Sequence, residues 1–149
     1  MRFGAIVLLS ALLLGPPAFA ESAMPAATSR DSERATFPIC KGSGRITCIV
    51  DGDTIWYRGT KIRIADIDTP EISRPGCDRE AAIGRRATQR MQALLNAGPF
   101  TLARGSGGRD TDRYGRALRV VMRGGRSLGE TLVSEGLAER WGGPRIAWC

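Results

Sequence analysis

Histidine is absent from all 149 residues. Its absence excludes Ser-His-Asp and Cys-His triads, histidine general bases and the usual histidine-containing zinc sites. Acid–base chemistry therefore falls to carboxylates, and a metal would be held mainly by oxygen or by cysteine. Lysine is nearly absent too: Lys41 and Lys61 are the only two among 22 lysine and arginine residues. No block of like charges occurs, and the four cysteines show no CxxC spacing, which argues against a metal cluster. The chain is 42% hydrophobic and 25% charged, as soluble globular proteins are. Its length favours one domain plus short extras, with a core large enough to fold without a metal.

What the chain has in excess is arginine. With 15 acidic residues the formal charge is +7. The planar guanidinium fork suits bidentate phosphate contacts better than an ammonium does. A basic protein is drawn to polyanions, of which nucleic acid is the commonest large one. An arginine excess can equally reflect the base composition of the source genome, so the charge supports a nucleic-acid partner without assigning it.

The first 20 residues read as a secretory signal. Arg2 is followed by an apolar stretch from Ala5 to Leu14, then Pro16-Pro17 and the small–X–small ending Ala18-Phe19-Ala20. The apolar run is shorter than the roughly 20 residues a membrane span needs. Cleavage near Ala20 is expected to leave a secreted or periplasmic protein without stable membrane association. It would lower the charge from +7 to +6 through loss of Arg2. Residues 21–38 hold few large apolar side chains and read as a flexible leader, with the folded domain, 39–149, beginning near Ile39. Cys40, Cys48, Cys77 and Cys149 form an even set, which in an exported chain suggests disulfides. Four cysteines allow three pairings. A local Cys40–Cys48 clip, with Cys77–Cys149 tying down the C-terminus, is the preferred one.

Arg45–Val50, Thr54–Tyr57 and Ile62–Ile67 are short β-branched-rich runs separated by Asp51-Gly52 and Gly59-Thr60 turns. They predict a three-strand meander. Ile83, Ala87, Met91 and Leu94/Leu95 recur at helical spacing, predicting a helix from about Arg79 to Leu95 that Asn96-Ala97-Gly98-Pro99 stops. Phe100–Ala103 and Ala117–Met122 read as two further strands. Ser127-Leu128-Gly129-Glu130 is a capping-box signature for a second helix, closed by Gly136. The fold expected is α+β, mainly β: a five-stranded OB-fold barrel with a helix after strand 3 and a C-terminal helix.

The densest acidic cluster is Asp51-Gly52-Asp53-Thr54 together with Asp66, Asp68 and Glu71. Asp53 and Asp68 are equidistant in sequence from a turn near residues 59–61, so a hairpin would set them roughly opposite each other. Like charges that close are destabilising unless something positive lies between them, and a hard cation would serve. Singly, Asp51-Gly52 is a hairpin turn, Asp68-Thr69-Pro70 a loop start and Arg63 a solvent-facing strand residue. The pair with Glu71 close by is what points to chemistry.

Val50-Asp51-Gly52-Asp53-Thr54, then Arg63 five residues before Asp68-Thr69-Pro70-Glu71, then Asp112-Arg113-Tyr114-Gly115-Arg116, resemble the staphylococcal-nuclease-like (thermonuclease) family. Leu132–Ala138 resembles a helical segment near that family's C-terminus. The resemblance spans about residues 45–140. It implies a monomeric, calcium-dependent endonuclease acting on DNA and/or RNA and leaving 3′-phosphate ends. By the motif match, Asp53, Asp68 and the Thr69 carbonyl would hold Ca²⁺, and Asp51 would support them. Glu71 would orient or deprotonate the attacking water. Arg63 and Arg116 would grip the phosphate, while Arg113 and Tyr114 would contact nucleotide. The sequence departs from the family after Ala138, where tyrosines often line the nucleotide pocket. Here Trp141 stands as either a stacking surface or a core residue. The alternative function is a catalytically silent OB-fold module that only binds nucleic acid.

Overall fold

The computed structural model describes residues 31–149. The expected signal, 1–20, and residues 21–30 of the expected leader lie outside the described residues. The elements run β1 (Cys48–Asp51), β2 (Thr54–Tyr57), β3 (Thr60–Ile64), β4 (Ile67–Asp68), α1 (Asp78–Asn96), β5 (Thr101–Arg104), β6 (Ala117–Arg123), β7 (Arg126–Ser127), α2 (Leu128–Ser134) and β8 (Glu139–Arg140).

The main sheet follows the order β1-β2-β3-β6-β5, with β7 pairing β6. All its pairings are antiparallel except β3 with β6. The mixed α+β architecture is as expected. Closure into a barrel would need the two outer strands to meet, and among the described residues β1 and β5 are not paired with each other.

The described part of the expected leader, residues 31–38, lies between those two strands instead. Glu33 exchanges both backbone hydrogen bonds with Phe100 at 2.9 Å, beside β5. Five residues on, the Pro38 carbonyl and Cys40 N–H bond to Ile49 in β1, each at 2.9 Å. Phe37 is fully buried, its ring 5.9 Å from Tyr57 and 5.8 Å from Phe100. Its backbone is held by the Gln92 and Asn96 side chains of α1. Residues 31–38 are thus part of the packed body. One buried aromatic among polar neighbours leaves no periodic signal, which is why composition reads this stretch as leader.

The meander differs from expectation at two points. The β2–β3 turn is Arg58-Gly59, both at positive φ (48° and 79°), as a two-residue I′-type hairpin requires. Thr54 therefore faces Arg63, and Asp53 accepts the Ile64 N–H at 2.8 Å. Asp68 is not opposite Asp53 in this ladder. The expected strand Ile62–Ile67 also breaks after Ile64, and Ile67–Asp68 leaves the main sheet to pair with Glu139–Arg140. Asp66 makes the break: its carboxylate accepts the Ser127 hydroxyl and its carbonyl the Trp141 N–H.

Helix α1 buries Ala81, Gly84, Ala87, Thr88, Met91 and Leu95, a single stripe at three- and four-residue spacing. That stripe packs on Ile49, Ile55, Ile64, Phe100 and Leu132 in one core. Gly84 has a specific task. A Cβ there would lie 2.5 Å from the Pro70 carbonyl oxygen and 2.6 Å from Ile72, so its absence lets the 69–72 loop cross α1 closely. Ser127 caps α2 by accepting the Glu130 N–H, but Glu130 turns its carboxylate to Arg140. Helix α2 ends at Ser134, so Leu137 and Ala138 of the family-like segment are buried loop residues.

Both preferred disulfides are formed. Cys40–Cys48 clips the 31–40 segment to β1, and Cys77–Cys149 joins the residue before α1 to the last residue of the chain. Peptide mapping of folded protein under non-reducing conditions should recover these two cross-linked pairs; a Cys40–Cys77 or Cys48–Cys149 peptide would contradict them. Gly84→Ala should destabilise the fold by about 1–3 kcal/mol, because backbone rather than a pliable side chain stands in the way. A denaturation midpoint equal to the parent's would show that the loop yields freely.

Candidate functional site

The Asp51-Gly52-Asp53 turn joins β1 to β2 and presses against the loop that follows β4. A Cβ on Gly52 would lie 2.8 Å from Thr69 Cγ2 and 2.9 Å from Ala87 Cβ, so this closeness depends on glycine. The approach brings Asp53 to Thr69. Asp53 Oδ2 accepts the Thr69 N–H at 2.9 Å and its hydroxyl at 3.1 Å, while Oδ1 accepts the Thr54 hydroxyl at 3.0 Å. Asp51 Oδ1 accepts the Asp53 N–H at 3.2 Å, placing Asp51 directly behind it.

Arg63 enters this cluster from β3 with only 7% of its surface exposed. It does not face solvent as a lone strand arginine usually would. One terminal amino group donates to the carbonyls of Ile64 and Ile67. The other donates to Asp68 Oδ1 at 2.7 Å and lies 3.4 Å from Asp53 Oδ2. Asp53 and Asp68 are therefore brought together by a shared guanidinium and by Thr69, not by a hairpin ladder. Asp68 Oδ2 takes a further contact from Arg145 at 3.2 Å, and Arg145 also reaches the buried Glu139 at 2.9 Å.

The negative charge here is incompletely matched. Burial, with the neighbouring Asp53 charge adding to it, pushes Asp51 up to about 7. Burial also raises Asp68 against the opposing pull of Arg63. Four carboxylates, Asp51, Asp53, Asp68 and Glu139, beside only two guanidiniums, Arg63 and Arg145, fit a hard, oxygen-seeking cation. Among the described residues no three acidic, cysteine or histidine side chains converge on one point. A cation would thus rest on the Asp53–Asp68 pair with carbonyl and water oxygens, a donor set unlike that of zinc.

Arg116 reaches the same region by topology. Parallel pairing of β3 with β6 sets Ile62 beside Ala117 and Arg63 beside Leu118, so Arg116, two residues before Leu118, shares the face that carries Arg63. Asp112 folds the preceding loop around itself. Its Oδ1 accepts the N–H groups of Tyr114 and Arg116, and its Oδ2 takes Arg116 Nε at 2.6 Å. Burial works against the Asp112 charge, but these hydrogen bonds outweigh it and hold its carboxyl below the usual range. Arg63 and Arg116 line one pocket of about 190 Å³ with Arg109, Asp112, Leu118 and Trp141.

Glu71 and Tyr114 are not among the residues lining that pocket. Glu71 is exposed in the loop after β4, its N–H 3.4 Å from Glu80 and its carboxylate 3.5 Å from the Ser73 hydroxyl. Tyr114 is exposed, with the guanidinium groups of Arg113 and Arg116 at 4.8 and 5.5 Å from its ring centre. Trp141 is 60% exposed and so is not core; Arg63 lies 5.2 Å from its ring centre. Sequence reasoning missed Arg109, Asp112, Glu139 and Arg145. The Asp-x-x-Gly turn around Asp112 was a readable signal. Glu139 and Arg145 reach Asp68 only through the β4–β8 pairing, which no local pattern announces.

The staphylococcal nuclease homologue family model matches residues 61–142, more than half of the chain. Endonuclease YncB of Bacillus subtilis (strain 168) is 41% identical over 93 residues, covering 60% of this chain and 43% of the relative. The SPbeta prophage-derived endonuclease YokF of the same organism is 42% identical over 93 residues, 60% of this chain and 31% of the relative. The micrococcal nuclease of Shigella flexneri is 35% identical over 82 residues, 52% of this chain and 41% of the relative. The chain thus spans less than half the length of each of these three relatives.

Removing Arg63 would leave two carboxylates facing each other without their shared cation. Arg63→Ala is expected to cost about 3–5 kcal/mol in unfolding free energy measured in EDTA. Adding Asp53→Asn to that variant should recover part of the loss. A cost below about 1 kcal/mol, or no recovery, would show that the pair is not held by Arg63.

Proposed function

We propose that this chain, which belongs to the staphylococcal nuclease homologue family, is an exported endonuclease that hydrolyses phosphodiester bonds of DNA and/or RNA. The observation that carries the reading is the convergence of Arg63 and Arg116, from different elements, in one pocket beside the Asp53–Asp68 pair. A phosphodiester resists attack because it is anionic, so fixed positive groups must meet the charge that grows on its oxygens. The endonuclease names of the relatives agree with this chemistry. The two disulfides and the signal-like residues 1–20 support export into an oxidising compartment.

In this reading Ca²⁺ would be held by Asp53, Asp68 and the Thr69 carbonyl, and it would supply Lewis-acid polarisation of the phosphoryl group. Asp51 lies behind Asp53 and fixes its backbone. Arg116 is gripped by Asp112 through Nε, which leaves its terminal amino groups for the phosphate. Arg63 keeps a fixed orientation because two carbonyls hold it. Glu71 takes a proton from the attacking water, the role that histidine cannot fill in this chain. The water oxygen bonds to phosphorus as the bond to the 5′ oxygen breaks, and the departing 5′ oxygen takes a proton from solvent water. The phosphate then stays on the 3′ side. Arg113 and Tyr114 contact the nucleotide next to the cleaved bond, and the protein acts as a monomer.

Incubation of mature protein with single- and double-stranded DNA and with RNA, in Ca²⁺ or EDTA, tests this directly. Cleavage that requires Ca²⁺ and leaves 3′-phosphate ends is the expected result. A gel shift without cleavage would favour the catalytically silent binding module, and neither effect would reject both. Glu71→Gln should lower kcat by about a hundredfold or more while KM moves by less than about threefold. Equal kcat in variant and parent would remove Glu71 from the mechanism.

A further inference from the structure

The three arginines of the pocket differ in what already holds them. Arg63 is committed to Asp53, Asp68 and two carbonyls. Arg116 is committed to Asp112, the only acidic residue in the lining. Arg109 makes no ion pair or hydrogen bond among the described residues, although Asp110 and Asp112 lie within three positions of it. Those two carboxylates are taken by other arginines: Asp110 by Arg119 at 2.8 Å and Arg104 at 3.7 Å, and Asp112 by Arg116. The pocket's uncompensated positive charge therefore sits on Arg109.

Its backbone is nonetheless placed. The Asp110 carbonyl accepts the Leu118 N–H at 2.9 Å, and Thr111 bridges to Ala117, so the chain just after Arg109 is fastened to β6. Depth separates the three as well. Arg63 is buried, Arg116 is half-buried and Arg109 is exposed, so the cations run from the interior of the pocket to its rim. Two inner arginines match the oxygens of one phosphate. A third at the rim, free and anchored from behind, suits a phosphate farther along the same strand.

We propose that Arg109 binds a second, non-scissile phosphate of the polynucleotide, next to the one held by Arg63 and Arg116; this rests on the nuclease reading above. Arg109 thereby makes the pocket prefer a chain of phosphates over an isolated phosphodiester. It also carries a share of the salt dependence of binding, because each phosphate neutralised releases condensed counterions.

The test compares the parent, Arg109→Gln and Arg109→Lys on a single-stranded oligonucleotide and on a dinucleotide with one phosphodiester. Arg109→Gln should raise KM for the oligonucleotide about tenfold, with the loss in KM rather than in kcat. The slope of log KM against log salt should flatten by about 0.7. Arg109→Lys should recover most of both, and the dinucleotide KM should move by less than about threefold. Equal effects on the two substrates, or no effect on either, would overturn the proposal. Fluorescence-anisotropy binding of the same oligonucleotide in EDTA gives a readout that needs no turnover. If the parent binds in EDTA but does not cleave once Ca²⁺ is supplied, the nuclease reading fails. The Arg109 inference then stands or falls on whether Arg109→Gln weakens that binding and flattens its salt slope.

Discussion

The buried guanidinium of Arg63 has two carbonyls on one side and two carboxylates on the other. Burying such a group costs several kcal/mol unless every donor finds a partner. The backbone around it is shaped to supply them. The chain turns after Ile64 and presents the Ile67 carbonyl back to Arg63, which breaks one apparent strand into β3 and β4. Asp68 then arrives on the opposite side, and Asp53 is drawn in by the Gly52 approach to Thr69. A buried ionic cluster of this kind adds little net stability compared with apolar packing. What it fixes is one arrangement of the carboxylates.

Electrostatic matching is graded across the site. Four carboxylates, Asp51, Asp53, Asp68 and Glu139, share two guanidiniums, Arg63 and Arg145, and burial pushes Asp51 and Asp68 upward. Arg116 and Asp112 balance each other, and Arg109 is left over. A region short of positive charge thus adjoins a pocket with an excess of it. The first suits a hard cation and the second suits an anion, and a metal-bound phosphodiester asks for both. Trp141 stands beside Arg63 at that junction and offers an exposed aromatic face.

Both described ends of the chain are tied into the packed body. The 31–40 segment fills the space between β1 and β5 and is clipped by Cys40–Cys48. The C-terminal residues run from β8 past Asp68, where Arg145 and Ile146 are held by Glu139, to the Cys77–Cys149 link at the start of α1. That link and Glu80, which accepts the N–H groups of Glu71 and Gly76, restrain the loop carrying Glu71. Constraining loops covalently limits the freedom of the unfolded chain most where the loop is long. Here the longer closure, Cys77 to Cys149, encloses α1, β5–β8, α2 and two of the pocket arginines, Arg109 and Arg116.

By itself the sequence determined whatever depends on neighbours close along the chain. The stripe in α1, the Ser127 cap and the lack of histidine were legible because each is a local pattern or a simple absence, whereas Arg63 and Arg116 were singled out mostly by resemblance to a family. The register of the β2–β3 hairpin was not, because Arg58 and Gly59 turn the chain one step before the expected turn and a hairpin's register follows its turn. Only the tertiary structure decided that Phe37 is core, that Trp141 is not, and that Arg63 turns inward. It also decided that Arg109, Glu139 and Arg145 join the site. Each of these depends on contacts between segments far apart in sequence, where burial and charge are set by whichever element arrives from elsewhere.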